Sequence, residues 1–371
     1  MFASAGVGEA YLEQHGLECA VANELEDKRA DFHKHLYRGS HMIAGDICDK
    51  ANFNDFINTS IERNVELLIA TPPCQGFSLS GKNKSHEQMI NDDRNFLIFK
   101  VFEAIDKLKP NFVLIENVPR FLNLIYPHEG EFYGVVDLLQ KKYGDDYVID
   151  HKVLNAMNYG VPQSRKRAFI KVYKKGYTWD WPIESQHITT LRDAIGHLPS
   201  IESGERSKHK LHFGRKHSDK HILWMTHTPS GQSAFKNKKY YPKDNEGNKL
   251  NGYHDAYARM SWDKPAPTIT IRSDAISSNS KVHPGKLKDD GTYSDARVLS
   301  ILELLILSSL PEDWNIPEWA SEILVRQILG ESVPPLLMSK ILSNIHKIEF
   351  PIIVNSKCGA GTVFDDATNT C

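Results

Sequence analysis

Short apolar runs alternate with amphipathic stretches through the first half of the chain, and this alternation restricts its fold more than any other feature. The runs Leu67–Ala70, Phe112–Ile115 and Ala168–Val172 are typical of buried strands, while Phe53–Asn64 and Asn95–Leu108 have helical periodicity. Strands separated by helices of this length favour a parallel, doubly wound α/β sheet that is covered on both faces. We expect the chemistry of such a sheet at the carboxyl ends of its strands.

The composition changes in the middle of the chain. The alternation stops near Lys174, and residues 171–260 hold 16 Lys and Arg against 9 Asp and Glu, with 8 of the 17 histidines, in a chain of net charge −2. A basic block inside an acidic chain is typical of an insert that binds a polyanion, although an irregular solvated surface has the same composition. The sequence predicts a catalytic and cofactor-binding sheet domain at 1–172, a small separate domain at 173–260, segments that return to the sheet domain at 261–350, and a tail at 351–371.

Cysteine usage and hydropathy exclude several classes of protein. The five cysteines are few, odd in number and far apart, which predicts neither a disulfide framework nor a zinc site. No apolar run approaches the roughly 18 residues of a membrane span, and the N-terminus lacks a signal-peptide pattern. We therefore expect a cytoplasmic protein without a metal, in which any cysteine chemistry uses a single thiol.

A glycine-rich turn lies near the N-terminus. The segment Ala5-Gly6-Val7-Gly8 follows a very short strand and opens a helix, so its backbone can approach a ligand closely, although many such turns are only tight connections. The chain begins almost inside that strand, which is therefore either short or completed from elsewhere. Glu24 ends the second strand, where its carboxylate can accept both hydroxyls of a ribose, and Asp46 ends the third. Three strand ends in this order suggest a cofactor that contains adenosine.

A cysteine follows two prolines at the end of a buried run, in the sequence Pro72-Pro73-Cys74. The prolines fix φ at successive positions and remove two hydrogen-bond donors, so the chain must leave the sheet here. A thiol at the edge of a cofactor crevice can be held as a thiolate for attack, although a lone cysteine is more often a small buried apolar residue.

Two further groups of polar residues adjoin buried runs. Glu116 follows Phe112–Ile115, and apolar surroundings can raise its pKa enough for it to share a proton with a substrate nitrogen. Gln163, Arg165 and Arg167 precede or enter the run Ala168–Val172, and strand alternation places them on one face. Arginines in such a row can donate to a carbonyl or a phosphate.

Taken in order, these motifs resemble those of the DNA cytosine-5 methyltransferases. The resemblance covers about residues 2–172 and 260–345 and leaves the basic block unmatched, at the position where this family has its target-recognition domain. The matching segments are 5–8, Glu24, 45–47, 72–78, 93–94 with Leu97 and Phe99, 116–118, 159–167, 265–270, 283–284, 297–300 with Glu303, and 330–335. The resemblance implies a doubly wound, Rossmann-like α/β methyltransferase sheet with a small inserted target-recognition domain.

The resemblance also implies a reaction. A methyl group passes from S-adenosyl-L-methionine, which leaves as S-adenosyl-L-homocysteine, to C5 of a cytosine flipped out of double-stranded DNA. By the resemblance, Cys74 adds to C6, Glu116 stabilises protonated N3, Arg167 contacts O2, and Arg165 steadies the catalytic loop or a phosphate. It further implies a monomeric enzyme of a bacterial restriction-modification system, whose functional partner is a restriction endonuclease of the same specificity.

Two sets of binding residues are expected. The cofactor set is Ala5, Gly6, Val7, Gly8, Glu24, Asp46, Ile47, Pro73, Leu97, Glu331 and Ser332. The DNA set is Gln75, Ser78, Lys82 and Gln163, together with Lys236, Lys238 and Lys239 of the basic block, and Leu79–Asp93 is expected to close over the flipped base. Glu331 stands where the family usually has Asn, and its carboxylate could meet the ammonium of the cofactor but would repel the cofactor's carboxylate.

Three alternatives are weighed against this interpretation. A tRNA cytosine-5 methyltransferase would share the sheet and the motifs, and the basic insert favours duplex DNA instead. A catalytically silent DNA-binding relative is disfavoured by the intact Cys74, Glu116 and Arg167. A nicotinamide-dependent oxidoreductase would explain the glycine turn but neither the Pro-Pro-Cys-Gln nor the Gln-x-Arg-x-Arg motif.

Overall fold

The structure is a computed structural model that describes residues 1–73, 96–250, 252, 255–278 and 280–347. Its helices are α1 (Asp27–Leu36), α2 (Lys50–Glu62), α3 (Ile98–Leu108), α4 (Val135–Tyr143), α5 (Leu191–Ile195), α6 (Asp219–Thr226), α7 (Ile301–Leu307), α8 (Glu322–Glu331) and α9 (Pro335–Leu342). Its strands are β1 (Val21–Glu24), β2 (His41–Ala44), β3 (Leu67–Ala70), β4 (Phe112–Asn117), β5 (Ile125–His128), β6 (Glu131–Gly134), β7 (Tyr147–Asn155), β8 (Lys166–Lys174), β9 (Tyr177–Trp179) and β10 (Ile345–Lys347). Short 3-10 helices are Leu12–His15, Pro119–Asn123, Ala156–Tyr159 and Ala234–Lys236.

The central strands form two sheets, a parallel pair of β1 and β2 and a mixed four-stranded sheet in the order β3-β4-β8-β7. Strands β1 and β2 pair in parallel, and β3 pairs in parallel with β4. The expectation of a parallel sheet is wrong for β8, which is antiparallel to both β4 and β7, so that β7 runs in the same direction as β4. A short link that contains the 3-10 helix Ala156–Tyr159 joins β7 to β8, and a link of this kind favours antiparallel neighbours over a crossover.

Both faces of the sheet are covered, as a doubly wound architecture requires. Along β4, Val113 and Ile115 pack in a core with α2 and α3, whereas Phe112 and Leu114 pack in a second core with α9. Since successive strand side chains point to opposite faces, β4 is buried on both sides and all six of its residues are buried.

The glycine turn differs from the expectation in its flanking elements. Residues 1–8 are all described and contain no strand of their own, and the 3-10 helix Leu12–His15 replaces the predicted α-helix after them. Ala5 and Val7 are buried in a core with α7 and α8, so the C-terminal helices pack against this turn.

The middle of the chain has a small core of its own. Trp224 and Met225 of α6 pack with Ile276, Val282 and Val298. This core therefore joins residues on both sides of position 260, where the sequence places a domain boundary. Within the described ranges, no helix has both the length and the apolar character needed to cross a membrane.

Candidate active site

A cleft of about 610 Å³ opens at the carboxyl ends of β1 to β4. It is lined by parts of the glycine turn, by the residues that follow β1, β2 and β3, by the end of β4, and by the last turn of α8. Of the residues expected to act here, the lining includes Val7, Gly8, Glu24, Asp46, Ile47, Pro73, Leu97, Glu116, Arg167, Glu331 and Ser332. The topology thus gathers, at one edge of the sheet, side chains that are far apart in sequence.

Packing explains why the turn needs a glycine. Gly6 has φ of +74°, and a Cβ there would lie 2.3 Å from a ring carbon of Tyr37. The hydroxyl of Tyr37 donates a hydrogen bond to the carbonyl of Gly6. Ala5 and Gly6 do not line the cleft, whereas Val7 and Gly8 do. The first glycine therefore shapes the turn, and we assign the approach to a ligand to the residues after it.

The acidic residues at the first strand ends hold the local backbone. Glu24 is buried, and its carboxylate accepts hydrogen bonds from the amide nitrogens of Ser4, at 2.7 Å, and Glu26, at 3.0 Å. Asp46 accepts from the amide of Cys48 at 2.8 Å. Each carboxylate oxygen can accept a second hydrogen bond, so both side chains keep capacity for a ligand in the cleft.

An ion pair that the sequence did not predict lies at the rim of the cleft. The guanidinium of Arg29, in α1, is 3.0 Å from the carboxylate of Glu331, which also accepts a hydrogen bond from the Ser4 hydroxyl at 2.8 Å. Burial raises the pKa of Glu331, and the charge of Arg29 opposes the rise. Nothing in the sequence links Arg29 to Glu331, because only the tertiary fold brings α1 beside the end of α8.

The end of β4 carries a second ion pair. Glu116 and Arg167 are both largely buried, and the Nε of Arg167 lies 2.9 Å from the Glu116 carboxylate. Burial raises the pKa of Glu116, and Arg167 and then Arg165 act against this rise. The next residue, Asn117, donates from its side-chain amide to the carbonyl of Pro72 at 2.9 Å. Asn117 therefore ties the end of β4 to the prolines that precede Cys74.

The row of Gln163, Arg165 and Arg167 does not share one environment. Residues 163 and 165 precede β8, and both side chains are fully buried. Arg165 donates to the carbonyls of Ile269, Gly330 and Glu331. Gln163 donates to the carbonyl of Leu307 and accepts from the amide of Ile269. Of the three, only Arg167 lines the cleft, and residues 163 and 165 lie before the first residue of β8.

The remaining expected residues lie elsewhere. Cys74, Gln75, Ser78, Lys82 and the segment Leu79–Asp93 are outside the described residues. Lys236, Lys238 and Lys239 are exposed in and just after the 3-10 helix Ala234–Lys236, and the ammonium of Lys239 lies 5.1 Å from the ring centre of Tyr240. None of these three lysines lines the cleft.

Comparison with known proteins identifies the family. Residues 1–347 match the model of the C-5 cytosine-specific DNA methylases. The chain belongs to this family. It is a DNA (cytosine-5)-methyltransferase, and its cofactor is S-adenosyl-L-methionine. These findings confirm the predicted activity, substrate class and cofactor, and they decide against the nicotinamide-dependent oxidoreductase.

Individual relatives agree with the family assignment. The methyltransferase is 50% identical over 345 residues to type II methyltransferase M1.HgaI of Avibacterium volantium, with 93% of this chain and 96% of the relative aligned. It is 28% identical over 350 residues to type II methyltransferase M1.HphI of Haemophilus parahaemolyticus, covering 94% and 86% of the two chains.

Solved structures confirm the predicted fold class. One neighbour is described as a DNA modification methyltransferase encoded within an Escherichia coli prophage, and it aligns at a TM-score of 0.64 and 19% identity, over 92% of this chain and 96% of the other. The Dnmt2 methyltransferase of S. pombe aligns at a TM-score of 0.57 and 13% identity, over 92% and 95%. At these identities the likeness concerns the fold alone.

Proposed function

We propose that this methyltransferase modifies a cytosine flipped out of a specific duplex DNA sequence, through a transient bond between Cys74 and C6. The observation that carries this proposal is the Glu116–Arg167 ion pair at the carboxyl end of the sheet, within the same cleft as the glycine turn. An acid and a guanidinium held side by side match N3 and O2 of cytosine, which are adjacent on the ring.

Glu116 is proposed to hold a proton at N3. The C5 atom of cytosine is a weak nucleophile, and it becomes enamine-like only when C6 carries an added group and N3 is protonated. Burial favours the neutral form of Glu116, which can donate to N3, while Arg167 keeps its pKa from rising further. The guanidinium of Arg167 has N–H groups beyond the one directed at Glu116, and we assign one of them to O2.

Cys74 is proposed to be the nucleophile. It would form the S–C6 bond, and the loss of the C5 proton after methylation would return the electron pair that breaks this bond. The residues that precede it support this role. Pro72 and Pro73 restrict the backbone just before Cys74, and the side-chain amide of Asn117 donates a hydrogen bond to the carbonyl of Pro72. Pro73, the residue before Cys74 in the sequence, lines the same cleft as Glu116.

The residues of the cleft fit S-adenosylmethionine, which supplies an electrophilic methyl group when bound. Glu24 and Asp46 would hold the ribose and adenine end, with Ile47 and Leu97 as apolar walls. Glu331 would hold the ammonium of the methionine end. The paired Arg29 would offset the repulsion between Glu331 and the cofactor's carboxylate. Gly8 and Ser332, which also line the cleft, complete the proposed set.

The basic middle region is proposed to recognise DNA. Lys236, Lys238 and Lys239 are exposed and close together in sequence, as phosphate contacts require. Gln75, Ser78 and Lys82, in the segment expected to close over the base, remain proposed DNA contacts. Gln163 also stays in this set, although DNA would have to displace its bonds to the backbone at residues 269 and 307.

We propose a role in restriction-modification, acting as a monomer in the bacterial cytoplasm. Both relatives described above are named type II methyltransferases, a class whose methylation protects DNA from a restriction endonuclease of the same specificity. The endonuclease is a functional partner that need not touch the enzyme.

The test is the transfer of labelled methyl from S-adenosylmethionine to duplex DNA by wild type and Cys74→Ala. We expect the substitution to abolish transfer while the binding of S-adenosylhomocysteine is retained. Cys48→Ala, at an exposed cysteine, is the matched control and should keep wild-type activity. Wild-type turnover by Cys74→Ala would refute the covalent mechanism.

A trapping experiment isolates the covalent step. DNA with 5-fluorocytosine at the target cannot lose a proton from C5, so the S–C6 bond should persist through denaturation. Bisulfite sequencing of DNA modified by the protein identifies that target first. An active enzyme that gives no denaturant-stable adduct would count against addition by Cys74.

A further inference from the structure

Lys281 is a buried lysine that the proposed reaction does not use. It is only 4% exposed, and its ammonium donates a hydrogen bond to the carbonyl of Thr268 at 2.6 Å. Across the described ranges, no carboxylate pairs with this ammonium, and the guanidinium of Arg165 acts on it with a charge of the same sign. Burial and then the charge of Arg165 lower the pKa of Lys281 to about 8. A buried charge without an opposite charge is costly, so stability alone does not account for a lysine here.

The backbone of Lys281 belongs to the middle region of the chain. The amide of Val282, the next residue, donates to the carbonyl of Ala258 at 3.3 Å, and the carbonyl of Val282 accepts from the amide of Met260 at 2.9 Å. Val282 packs in the small core of the middle region. Since successive side chains of an extended segment point to opposite sides, Lys281 points away from this core and reaches Thr268 instead.

The segment that Lys281 contacts forms part of the cleft. We call residues 268–271 the wall segment, because its last two residues line the cleft. The hydroxyl of Thr268 donates to the carbonyl of Ser164 at 2.7 Å, and the next carbonyl, of Ile269, accepts from Arg165 at 2.9 Å. The backbone carbonyls of two successive residues are therefore held by two buried cations, one from the middle region and one from the residues before β8.

The wall segment is tightly packed on its other side. Gly330, in the last turn of α8, lies so close that a Cβ there would come within 2.3 Å of the backbone carbonyl carbon of Thr270. Arg165 also donates to the carbonyls of Gly330 and Glu331, at 3.1 and 2.7 Å. The same guanidinium thus joins the wall segment to the part of the cleft that Glu331 lines.

We propose that Lys281 is a positioning residue for methyl transfer, whose ammonium fixes the wall segment to the middle region and so holds bound DNA in register with the cleft. This role rests on the proposed function, in which the middle region recognises DNA. Lys281 does not line the cleft and acts through Thr268. The orientation of bound reactants contributes strongly to a rate, and a displacement of about 1 Å can slow a reaction by about 10²-fold.

The test is Lys281→Met, which keeps an unbranched apolar side chain and removes the ammonium. With target DNA and S-adenosylmethionine both saturating, we expect single-turnover methylation to slow by about 10-fold or more, because the carbonyl of Thr268 loses its donor. The dissociation constants for the target duplex and for S-adenosylhomocysteine should stay within about twofold of wild type. Lys281→Arg, which can donate to the same carbonyl, should recover most of the rate.

The matched control is Lys171→Met, at a second buried lysine. Lys171, in β8, also donates to a backbone carbonyl, that of Trp179, but it is paired with Asp150 at 3.2 Å and does not line the cleft. We expect this control to keep the wild-type methylation rate per folded molecule and to unfold at a lower denaturant concentration. Lys281→Met should not unfold earlier than wild type, because the lost hydrogen bond is offset by the removal of an unpaired buried charge.

Three results would overturn the proposal. A wild-type methylation rate in Lys281→Met would show that the ammonium is not needed. Weaker DNA binding with a shallower salt dependence would make Lys281 a direct DNA contact. A loss of rate that disappears when it is scaled to the folded fraction would leave Lys281 with a role in stability alone.

Failure of the proposed function has a different signature. If the wild type transfers no methyl group to duplex DNA, or if DNA binding does not depend on the lysines of the middle region, the proposed function itself fails. If both hold and Lys281→Met methylates at the wild-type rate, only the role of Lys281 is refuted.

Discussion

At the scale of single residues, Glu116 is subject to two opposing influences. Burial raises its pKa, and the charge of Arg167, 2.9 Å away, lowers it. Replacing Arg167 with Gln removes the larger opposing charge, so the pKa of Glu116 rises further and the protonated acid persists to higher pH. We expect Arg167→Gln to slow single-turnover methylation by about 10²-fold or more. In a plot of that rate against pH, the fall of the rate at alkaline pH should move to higher pH.

The control for this prediction is Glu116→Gln. Its amide cannot exchange a proton with N3, so the methylation rate of this variant should no longer fall at alkaline pH. The variant should retain its affinity for S-adenosylhomocysteine. If the methylation rate of Arg167→Gln falls at the same alkaline pH as that of the wild type, the titrating group is not Glu116.

The ion pair of Arg29 and Glu331 gives a prediction about the cofactor. We expect Glu331→Gln to weaken the binding of S-adenosylhomocysteine several-fold in calorimetry, because the ammonium of the ligand loses its carboxylate partner. The double variant Arg29→Gln/Glu331→Gln separates two explanations. If Glu331 contacts the ligand, the double variant should bind S-adenosylhomocysteine as weakly as Glu331→Gln. If Glu331 only neutralises Arg29, the double variant should bind it with wild-type affinity.

The sequence predicts some residues of the site better than others, for a physical reason. Glu116 and Arg167 belong to strands, and their position at strand ends follows from local apolar runs. Gln163 and Arg165 are held instead by backbone groups at residues 269, 307, 330 and 331, more than 100 positions away in the chain. Local periodicity carries no information about such contacts.

At the scale of elements, the C-terminal helices follow their patterns closely. Helical periodicity is present at 298–307, 322–329 and 336–345, and the structure has α7, α8 and α9 at Ile301–Leu307, Glu322–Glu331 and Pro335–Leu342. The start of α7 has a local cause, since Ser300 and Glu303 form a reciprocal capping box. The antiparallel pairing of β8 was missed because strand patterns do not specify direction.

The cap of α7 is also part of a buried charge network, which predicts a stability effect. Arg297 donates to both oxygens of Glu303, at 2.8 and 2.9 Å, and to Asp295 at 2.9 Å, and all three side chains are buried. Glu303→Gln leaves the buried guanidinium short of one negative charge. We expect it to lower the free energy of unfolding by about 3 kcal/mol in denaturant titration. The exposed Glu312→Gln is the control, with an expected change within about 0.5 kcal/mol.

The same network predicts how the difference in free energy of unfolding between wild type and Glu303→Gln depends on pH. Arg297 and His283 overcome the effect of burial and hold the pKa of Glu303 at about 2, below its usual value near 4.5. A depressed carboxyl pKa stabilises the fold above the unfolded pKa, and this contribution is lost as pH falls toward the folded pKa. The difference in free energy of unfolding between wild type and Glu303→Gln should therefore be constant above about pH 5 and should decrease between pH 4.5 and pH 2. A gap that does not change in this window would contradict the assignment.

At the scale of the whole molecule, charge is divided between regions rather than spread evenly. The cofactor cleft is lined by Glu24, Asp46 and Glu331, whereas the exposed lysines at 236, 238 and 239 lie outside it. Such a division suits an enzyme that binds a cationic sulfonium in one place and a polyanion in another. The sequence predicts this division from composition alone, but it cannot predict which lysines face DNA, because the middle region has no regular period.

Salt dependence tests which lysines contact DNA. A plot of the log of the DNA association constant against log salt concentration has a negative slope, and each phosphate contact that is removed should reduce its magnitude by about 0.9. The magnitude should therefore fall by up to about 2.7 in the triple variant Lys236→Gln/Lys238→Gln/Lys239→Gln. The matched control is Lys28→Gln/Lys34→Gln/Lys50→Gln, which removes the same charge from exposed positions in or next to α1 and α2. Because both triple variants change net charge equally, a similar loss in each would show that affinity follows overall charge. A loss confined to the first variant would assign the DNA contact to the basic middle region.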